Sequence, residues 1–170
     1  MSKVCFELNN GKKINIRLCP EHAPLSVENF LSLVKDGFYD GLCFHRVIPG
    51  FMIQGGGFTQ GNGALKEKKA PKTIKGEFAM NGVKNDLHHA PGVISMARTM
   101  YPDSASSQFF ICVDDQAYLD SQYAAFGMVD DAQSLEVAIE ISTVPTHTWT
   151  YYADIPDSPV VIEKAYVIEE

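Results

Sequence analysis

Hydrophobic and polar residues alternate along much of the chain, which is typical of strands with one buried face. The segment Lys3–Leu8 alternates, and residues 14–18 alternate again after the turn-forming run Asn9-Asn10-Gly11. Because Asn and Gly accept the backbone conformations of a tight turn, the two segments predict a β-hairpin at the start of the chain.

Two stretches follow the spacing of an amphipathic helix instead. Apolar residues recur at helical spacing over 27–34, which predicts a first helix with Ser26 as its N-cap and Gly37 at its end. A second helix is expected to open at Ser134. Its buried face is predicted to carry Leu135, Ala138 and Ile139.

The remaining β-prone segments are short and separated by turn residues. Strands are expected within 44–57, 93–97, 108–113, 124–129 and 160–168. Glycine and proline punctuate 58–87, which is predicted to be a loop with a short extended piece near 74–78, and 143–157, which is expected to wrap the surface. Many short strands with two helices predict a mostly β fold, a closed or nearly closed antiparallel sheet in one domain, residues 1–170.

Composition and charge place the chain among ordinary globular proteins. It has 170 residues, a formal net charge of -7 and 45% hydrophobic residues. A negative chain has no general attraction for nucleic acid or an anionic membrane, and the lysines spread over 66–75 indicate a solvated loop. The sequence has no apolar leader and no apolar run of about 18 residues. We therefore expect a cytoplasmic protein, with neither nucleic acid nor a membrane as partner.

Cysteines and histidines give no sign of a cofactor. The cysteines lie far apart among apolar neighbours, which is typical of reduced thiols filling strand surfaces; they are Cys5, Cys19, Cys43 and Cys112. The histidines have no metal-binding spacing, and the adjacent pair His88-His89 is expected to point to opposite faces of a strand. His45 is expected to form a structural hydrogen bond beneath Arg46. We therefore expect no metal and no other cofactor.

The stretch 44–57, FHRVIPGFMIQGGG, concentrates residues with functional chemistry. Arg46 stands among apolar neighbours, where a guanidinium must be paired or must face a polar ligand. If Pro49-Gly50 adds a bulge, Arg46, Phe51 and Gln54 come to one surface. The structural alternative is an arginine that extends from a strand edge into water, or one paired with a core carboxylate.

The run 44–56 resembles a signature of the cyclophilins, the peptidyl-prolyl cis-trans isomerases. A second run, 92–98 (GVISMAR), followed by 107–111 (SQFFI), is similar to that family's other signature and stands at a comparable distance downstream. The resemblance extends over nearly the whole chain and is weakest between 143 and 157. It implies an eight-stranded antiparallel β-barrel capped by two α-helices. It also implies catalysed rotation about Xaa-Pro bonds, with no covalent intermediate and no cofactor.

The resemblance further implies which residues form the site. Arg46 would be catalytic by stabilising the twisted amide of the substrate, with Gln54 orienting it. The apolar pocket for the proline ring matches Phe51, Met52, Phe110 and Leu119, with Tyr123 where the best-known members have a histidine. The other positions that would contact the peptide are Gly63, Ala97, Arg98, Thr99 and Gln108.

Two positions depart from eukaryotic members and look like bacterial cyclophilins. Arg98 stands where an asparagine is common, and its side chain is expected either to contact substrate carbonyls or to be solvated. Tyr118 stands where many members carry the tryptophan associated with tight binding of cyclosporin. Because a phenol lacks the indole N–H donor, we expect weak cyclosporin binding with catalysis retained.

The expected partners are proline-containing peptides and unfolded or folding proteins, bound by a monomer. A hydrolase is the less favoured alternative, because no Gly-x-Ser-x-Gly elbow surrounds the serines at 95 and 104–107. A non-catalytic module that binds proline-containing segments is the closer alternative, since it would share the same pocket. The two readings diverge at Arg46, which only the enzyme needs.

Overall fold

The computed structural model describes residues 2–169 and contains a large antiparallel sheet, two hairpins and two α-helices. The strands are β1 (Lys3–Leu8), β2 (Lys13–Leu18), β3 (Phe44–Ile48), β4 (Met52–Gly55), β5 (Phe58–Gly61), β6 (Ala64–Glu67), β7 (Val93–Met96), β8 (Phe109–Cys112), β9 (Ala125–Val129), β10 (Thr146–Trp149), β11 (Tyr152–Pro156) and β12 (Ile162–Glu169). The helices are α1 (Pro24–Lys35) and α2 (Ala132–Ser142), and short 3-10 turns cover Ala79–Asn81 and Ala117–Leu119. Over 2–169, no helix is long and apolar enough to cross a membrane.

The large sheet has the order β12-β1-β2-β9-β7-β8-β4-β3, and neighbouring strands are antiparallel. Within the described residues, the two edge strands do not form a ladder with each other. The two strands meet where they begin: Phe44 N of β3 donates to Val160 O at 2.9 Å, and Ile162 N of β12 donates to Leu42 O at 2.8 Å. Cys43 and Val161 form an isolated bridge between these two bonds. The predicted mostly β fold with two helices is therefore confirmed, whereas the sheet is curled and is not shown to be a closed barrel.

Aromatic side chains fill the concave side of the curled sheet. Phe6 and Phe109 stack with centroids 5.4 Å apart, and Phe30 of α1 lies 5.1 Å from Phe126. Tyr39, fully buried, donates its hydroxyl to Ser107 O at 2.8 Å, so its polar end is satisfied inside the core. This layer fixes the strands whose other face carries the site.

All four cysteines are free and buried, as the sequence predicts. Burial raises the pKa of the Cys43 and Cys112 thiols to about 12. They therefore remain protonated at neutral pH and act as small apolar side chains.

Helix α1 begins at Pro24, so the prediction that Ser26 is the N-cap is wrong. Ser26 is instead buried, and its backbone N and its Oγ both donate to Glu77 Oε1, at 2.6 and 2.8 Å. Leu25 N donates to the other oxygen of Glu77 at 3.1 Å. A carboxylate from a distant loop thus satisfies the first turn of the helix. Gly37, with φ of +72°, ends the helix as predicted.

Of the three residues predicted on the buried face of helix α2, only Ala138 is buried. Asp131 is the N-cap of this helix and accepts from Ser134 N at 2.7 Å, so the helix starts before Ser134. Ser134 Oγ accepts from Asn15 N of β2 at 2.8 Å, which turns this side of the helix toward the sheet. Ile139 is 41% exposed, and Leu135 is half-buried. The buried face carries Ser134, Val137, Ala138, Ile141 and Ser142.

The segment 58–87 contains a hairpin where the sequence analysis predicts a loop. Strands β5 and β6 pair around Asn62 and Gly63, whose φ values are +53° and +78°. Two consecutive positive φ angles are what a two-residue hairpin turn requires, and Asn-Gly supplies them. The predicted extended piece is present in minimal form, as a single bridge between Ile74 and Ala105.

The segment 143–157 also contains more structure than a surface wrap. Strands β10 and β11 pair as a hairpin, and Ile155 of β11 is fully buried. It forms a second, smaller core with Cys43, Phe58 and Leu65. Gln60 Nε2 donates to Pro156 O at 2.6 Å, which joins this hairpin to the β5–β6 hairpin.

Candidate active site

The central stretch predicted from the sequence forms the β3–β4 hairpin, which is one edge of the large sheet. β3 pairs with β4 so that Arg46 lies opposite Gln54, and β4 pairs with β8 so that Gln54 lies opposite Phe110. Directly opposed residues project to the same face of a sheet. Three strands therefore bring a guanidinium, an amide and a phenyl ring together in one row.

The juxtaposition of Arg46, Phe51 and Gln54 is as predicted, although the predicted cause is wrong. Pro49-Gly50 does not add a bulge. It forms the turn between β3 and β4, closed by Phe51 N donating to Ile48 O at 3.1 Å, with Gly50 at φ of +72°. Proline and a positive-φ glycine are favoured at the two central positions of such a turn.

A small cleft opens on this face, with a volume of about 210 Å³. Its lining residues are Arg46, Phe51, Met52, Gln54, Ala97, Arg98, Phe110, Leu119 and Tyr123. Met52, Phe110 and Leu119 form an apolar cluster and are 2%, 5% and 8% exposed. Pockets for drug-sized ligands start at roughly 300 Å³, so this cleft suits a single small ring.

Arg46 lies at the rim of the cleft and is exposed to solvent. Nη1 donates to Gln54 Oε1 at a long 3.4 Å, and Cζ lies 5.9 Å from the centroid of the Phe51 ring. Among residues 2–169, no carboxylate lies within salt-bridge distance of Arg46, which excludes the alternative of pairing with a core carboxylate. Gln54 Nε2 in turn donates to Gln108 Oε1 at 3.0 Å, so a chain of amides orients the guanidinium.

A side cleft of about 250 Å³ continues from the first cleft and shares Gln54, Ala97 and Arg98 with it. Thr99 and Gln108, which the resemblance implies as peptide contacts, line this side cleft together with Glu67, Ser104 and Ser106. Tyr118 flanks the first cleft with 61% exposure, and its ring stacks 6.4 Å from Phe51.

Gly63 lies apart from both clefts, in the β5–β6 turn, where its carbonyl lies 2.9 Å from His147 Nε2. Its predicted role as a peptide contact stays a prediction. Every other position implied by the resemblance lies at one of the two clefts or on their rim.

Arg98 is half-buried and bound to protein groups, and does not extend into solvent. Its Nε and Nη2 donate to Gln122 O at 3.1 and 2.6 Å, and Nη1 donates to Thr99 O at 3.0 Å. Its Cζ lies 4.7 Å from the ring centroids of both Phe78 and Tyr123. These contacts join three segments that are distant in sequence.

A polar network that sequence reasoning missed lies beneath the cleft. His89, 1% exposed, stacks on Phe110 with centroids 6.0 Å apart. Its Nε2 lies 2.9 Å from Ser95 Oγ, and its Nδ1 lies 2.8 Å from Asp120 Oδ1. Burial lowers the pKa of His89, although Asp120 opposes the effect. Ser95 is fully buried, so its hydroxyl cannot attack a substrate, and the network does not support the hydrolase alternative.

Two expectations about histidines are wrong. His88 and His89 do not point to opposite faces of a strand, because the segment is irregular and both rings contact Asp120. The His45 ring packs against Phe58 with centroids 4.5 Å apart and planes tilted by 53°, and its Nδ1 has no hydrogen-bond partner among the described residues. Burial, and then the charge of Arg46, lowers the pKa of His45 to about 4. The ring is therefore neutral and adds no second charge beside Arg46.

Comparisons with known proteins agree with one another. Residues 3–167 match the family model described as cyclophilin type peptidyl-prolyl cis-trans isomerase/CLD. The chain is 46% identical over 162 residues to peptidyl-prolyl cis-trans isomerase A of Dickeya dadantii, covering 92% of this chain and 80% of that protein. It is 40% identical over 174 residues to peptidyl-prolyl cis-trans isomerase B of Escherichia coli, covering 98% and 99%.

A solved structure is similar over the same extent. It is the crystal structure of a Cryptosporidium parvum cyclophilin type peptidyl-prolyl cis-trans isomerase in the presence of the dipeptide Ala-Pro. The TM-score is 0.78 at 25% identity, with 99% of each chain covered.

Proposed function

The chain belongs to the cyclophilin-type peptidyl-prolyl cis-trans isomerase family, and we propose that Arg46 catalyses the rotation of Xaa-Pro bonds by stabilising the twisted amide. As a member of this family the chain is an isomerase, which decides against a binding module without rate enhancement. The proposal concerns how the cleft lowers the barrier and which molecules it serves.

The barrier to be lowered is electronic. Rotation breaks amide resonance and costs ~18–20 kcal/mol, which without a catalyst takes tens to hundreds of seconds. A turnover of about 100 per second in place of about 0.01 requires the barrier to fall by ~5.5 kcal/mol. Since no covalent bond is made or broken, a few well-placed interactions supply that amount.

Arg46 is suited to act on the transition state selectively. Twisting localises a lone pair on the proline nitrogen, which an N–H donor binds more strongly than it binds the planar amide. The long 3.4 Å bond to Gln54 keeps the guanidinium at the rim with donors free to turn inward. A charge-assisted hydrogen bond contributes ~1.5–3 kcal/mol, up to about half of the reduction. Holding the ring and the carbonyl in twisted geometry would provide the rest.

The apolar floor supports proline as the residue bound. Met52, Phe110 and Leu119 offer buried hydrocarbon and an aromatic face to a small ring, and they place that ring beside Arg46. The similar Cryptosporidium parvum enzyme was crystallised with Ala-Pro, a dipeptide that ends in proline. We propose that proline-containing peptides are the substrates of this chain.

We further propose that this activity assists folding proteins. The cleft is an open surface site, with Tyr118 and Arg46 exposed at its rim, so an extended segment of a larger chain can enter it. Slow Xaa-Pro isomerisation limits the refolding of many chains. A protein with a non-native prolyl isomer should therefore refold faster in the presence of this enzyme.

The first prediction removes the proposed catalytic group. Arg46→Ala should lower kcat/KM for a short Xaa-Pro peptide by about 10-fold to 150-fold, which corresponds to the ~1.5–3 kcal/mol of its hydrogen bond. Weak peptide binding should persist, because the apolar floor is intact. NMR exchange spectroscopy measures both the isomerisation rate and the binding. Arg17→Ala, an arginine on β2 away from the cleft, is the matched control, and an unchanged rate in Arg46→Ala would overturn the mechanism.

A further inference from the structure

Arg98 is the second guanidinium of the cleft, and the mechanism above gives it no role. We propose that Arg98 is a positioning residue that holds Tyr123 as a wall of the proline pocket and so sets how tightly the pocket accepts its substrate. The inference rests on the proposed function, because it assigns a role within the same site. It is carried by the contacts on each side of the guanidinium.

The guanidinium is bound by the backbone that leads into Tyr123. Two of its N–H groups, on Nε and Nη2, converge on the carbonyl of Gln122 at 3.1 and 2.6 Å. A third, on Nη1, donates to Thr99 O at 3.0 Å. Three of the five N–H donors are thus used inside the protein, in a planar arrangement that an ammonium group cannot reproduce.

The plane of the guanidinium also contacts two aromatic rings. The Tyr123 and Phe78 centroids each lie 4.7 Å from Cζ, well within the ~6 Å limit of a cation–π contact. Phe78 is 3% exposed and belongs to the main core, so one side of the contact is rigidly supported. Arg98 therefore links a fixed core ring to a half-buried ring at the cleft.

Tyr123 in turn contacts Phe110, a residue of the proline pocket. Its ring meets Phe110 edge-on, with centroids 5.6 Å apart and planes at 86°. Tyr123 and Phe110 both line the cleft, whereas Phe78 does not. Residues just before Tyr123 are exposed, and Ser121 adopts a φ of +69°. Without Arg98, this exposed segment loses its two bonds through Gln122 O and Tyr123 loses a ring contact.

The inference predicts an effect on binding more than on turnover. Arg98→Lys keeps the charge and loses the planar set of N–H donors, so KM should rise about fivefold to tenfold while kcat stays within about twofold. Phe78→Leu, which alters a ring outside the cleft, should raise KM in the same direction. Arg17→Lys is the matched control and should leave both constants unchanged. Urea denaturation of each variant confirms that the folded protein is being assayed.

A double-mutant cycle separates positioning from direct contact with the substrate. In a Tyr123→Leu background, Arg98→Lys should change KM by less than about twofold, because the ring it positions is gone. An equal fold-change in both backgrounds, or no change in KM for Arg98→Lys alone, would overturn the inference. Failure of the Arg46 mechanism would show separately, as an unchanged rate in Arg46→Ala.

A spectroscopic test observes the contacts of Arg98 in the wild-type protein and uses a variant only to assign the signal. In protein labelled with ¹⁵N-arginine, the Nε–H signal of Arg98 should be shifted by the two rings and should exchange slowly with solvent, unlike an exposed arginine. The Arg98→Lys spectrum assigns the signal by its loss. A rapidly exchanging signal at the position of a free arginine would contradict the contacts on which the inference depends.

Discussion

At the scale of single residues, the site depends on which polar groups form hydrogen bonds within the protein and which keep their donors for a substrate. Gln108 holds Gln54, and Gln54 contacts Arg46 through one long bond of 3.4 Å. An amide pair orients the arginine without neutralising it, whereas a carboxylate in place of Gln54 would bind the charge tightly. The guanidinium therefore keeps its donors and its full charge for the substrate.

The sequence predicts most of these residues through the resemblance of its two signature runs to those of the cyclophilins, and alternation adds only which residues of 44–57 share a face. It could not predict the contacts of Arg98, because Phe78 and Gln122 lie 20 or more positions away in regions without periodicity. It also missed the network of His89, Ser95 and Asp120, since no local pattern joins a loop histidine to a strand serine.

Tyr118 carries a prediction about drug binding. Its ring is 61% exposed and stacks on Phe51 with planes at 29°, so the position is open to a ligand. Tyr118→Trp adds an N–H donor and ring area, and should tighten cyclosporin binding about tenfold, or about 1.4 kcal/mol. Isothermal titration calorimetry measures the change, with Tyr118→Phe as a control that keeps the ring and adds no donor. A wild-type affinity already equal to that of the tryptophan variant would contradict the prediction.

At the scale of elements, a carboxylate accepts hydrogen bonds from the first turn of each helix. One of these two carboxylates can be predicted from the residues next to the helix, and the other cannot. Asp131 caps α2 from the adjacent position, as helix propensities favour. Glu77 caps α1 from 51 positions away, so no rule about the residues flanking the helix could find it. The Asn62-Gly63 hairpin was missed for another reason, because the same residues that build a tight turn also occur in irregular loops.

Removal of the Glu77 carboxylate should therefore destabilise the fold. Glu77 is 2% exposed, and Glu77→Ala leaves the N–H groups of Leu25 and Ser26 without their acceptor. We expect a loss of about 2–3 kcal/mol in the free energy of unfolding, measured by urea denaturation.

Glu28, an exposed residue of helix α1, provides the control. Glu28→Ala should change the free energy of unfolding by less than about 0.5 kcal/mol. If both variants lost the same free energy of unfolding, the hydrogen bonds of Glu77 would contribute no more to stability than a negative charge near the helix does.

At the scale of the whole molecule, the charge of the cleft differs from that of the chain. The formal net charge is -7, yet the groups that line the first cleft include two arginines and no carboxylate. The local field therefore favours carbonyl oxygens and other electron-rich groups, while the acidic remainder disfavours unspecific binding of polyanions. This separation suits an enzyme whose substrate is recognised through a neutral ring and a polar backbone.

Two histidines give the stability of the fold opposite dependences on pH. Hydrogen bonds that His88 donates to Asp120 and then to Asp115 raise its pKa, so its contribution to stability is fully present below pH 6.5 and is lost as pH rises through the folded-state value. His45 behaves in the reverse sense, because burial lowers its pKa to about 4. The unfolded chain binds the His45 proton more strongly, so stability falls as pH decreases from 6.5 toward 4.

His45 carries the last prediction. A shift from 6.5 to about 4 corresponds to a loss of about 3 kcal/mol in the free energy of unfolding across that range. His45→Phe keeps a ring against Phe58 and cannot be protonated, so its stability should fall by about that much less than wild type between pH 7 and pH 4. Urea denaturation at pH 7, 5.5 and 4 measures how the free energy of unfolding of each protein depends on pH. The difference between the two proteins at pH 7 is subtracted, so that only the change with pH is compared. Parallel curves would show that the His45 ring is solvated in the folded protein and that Arg46 has a second charge beside it at low pH.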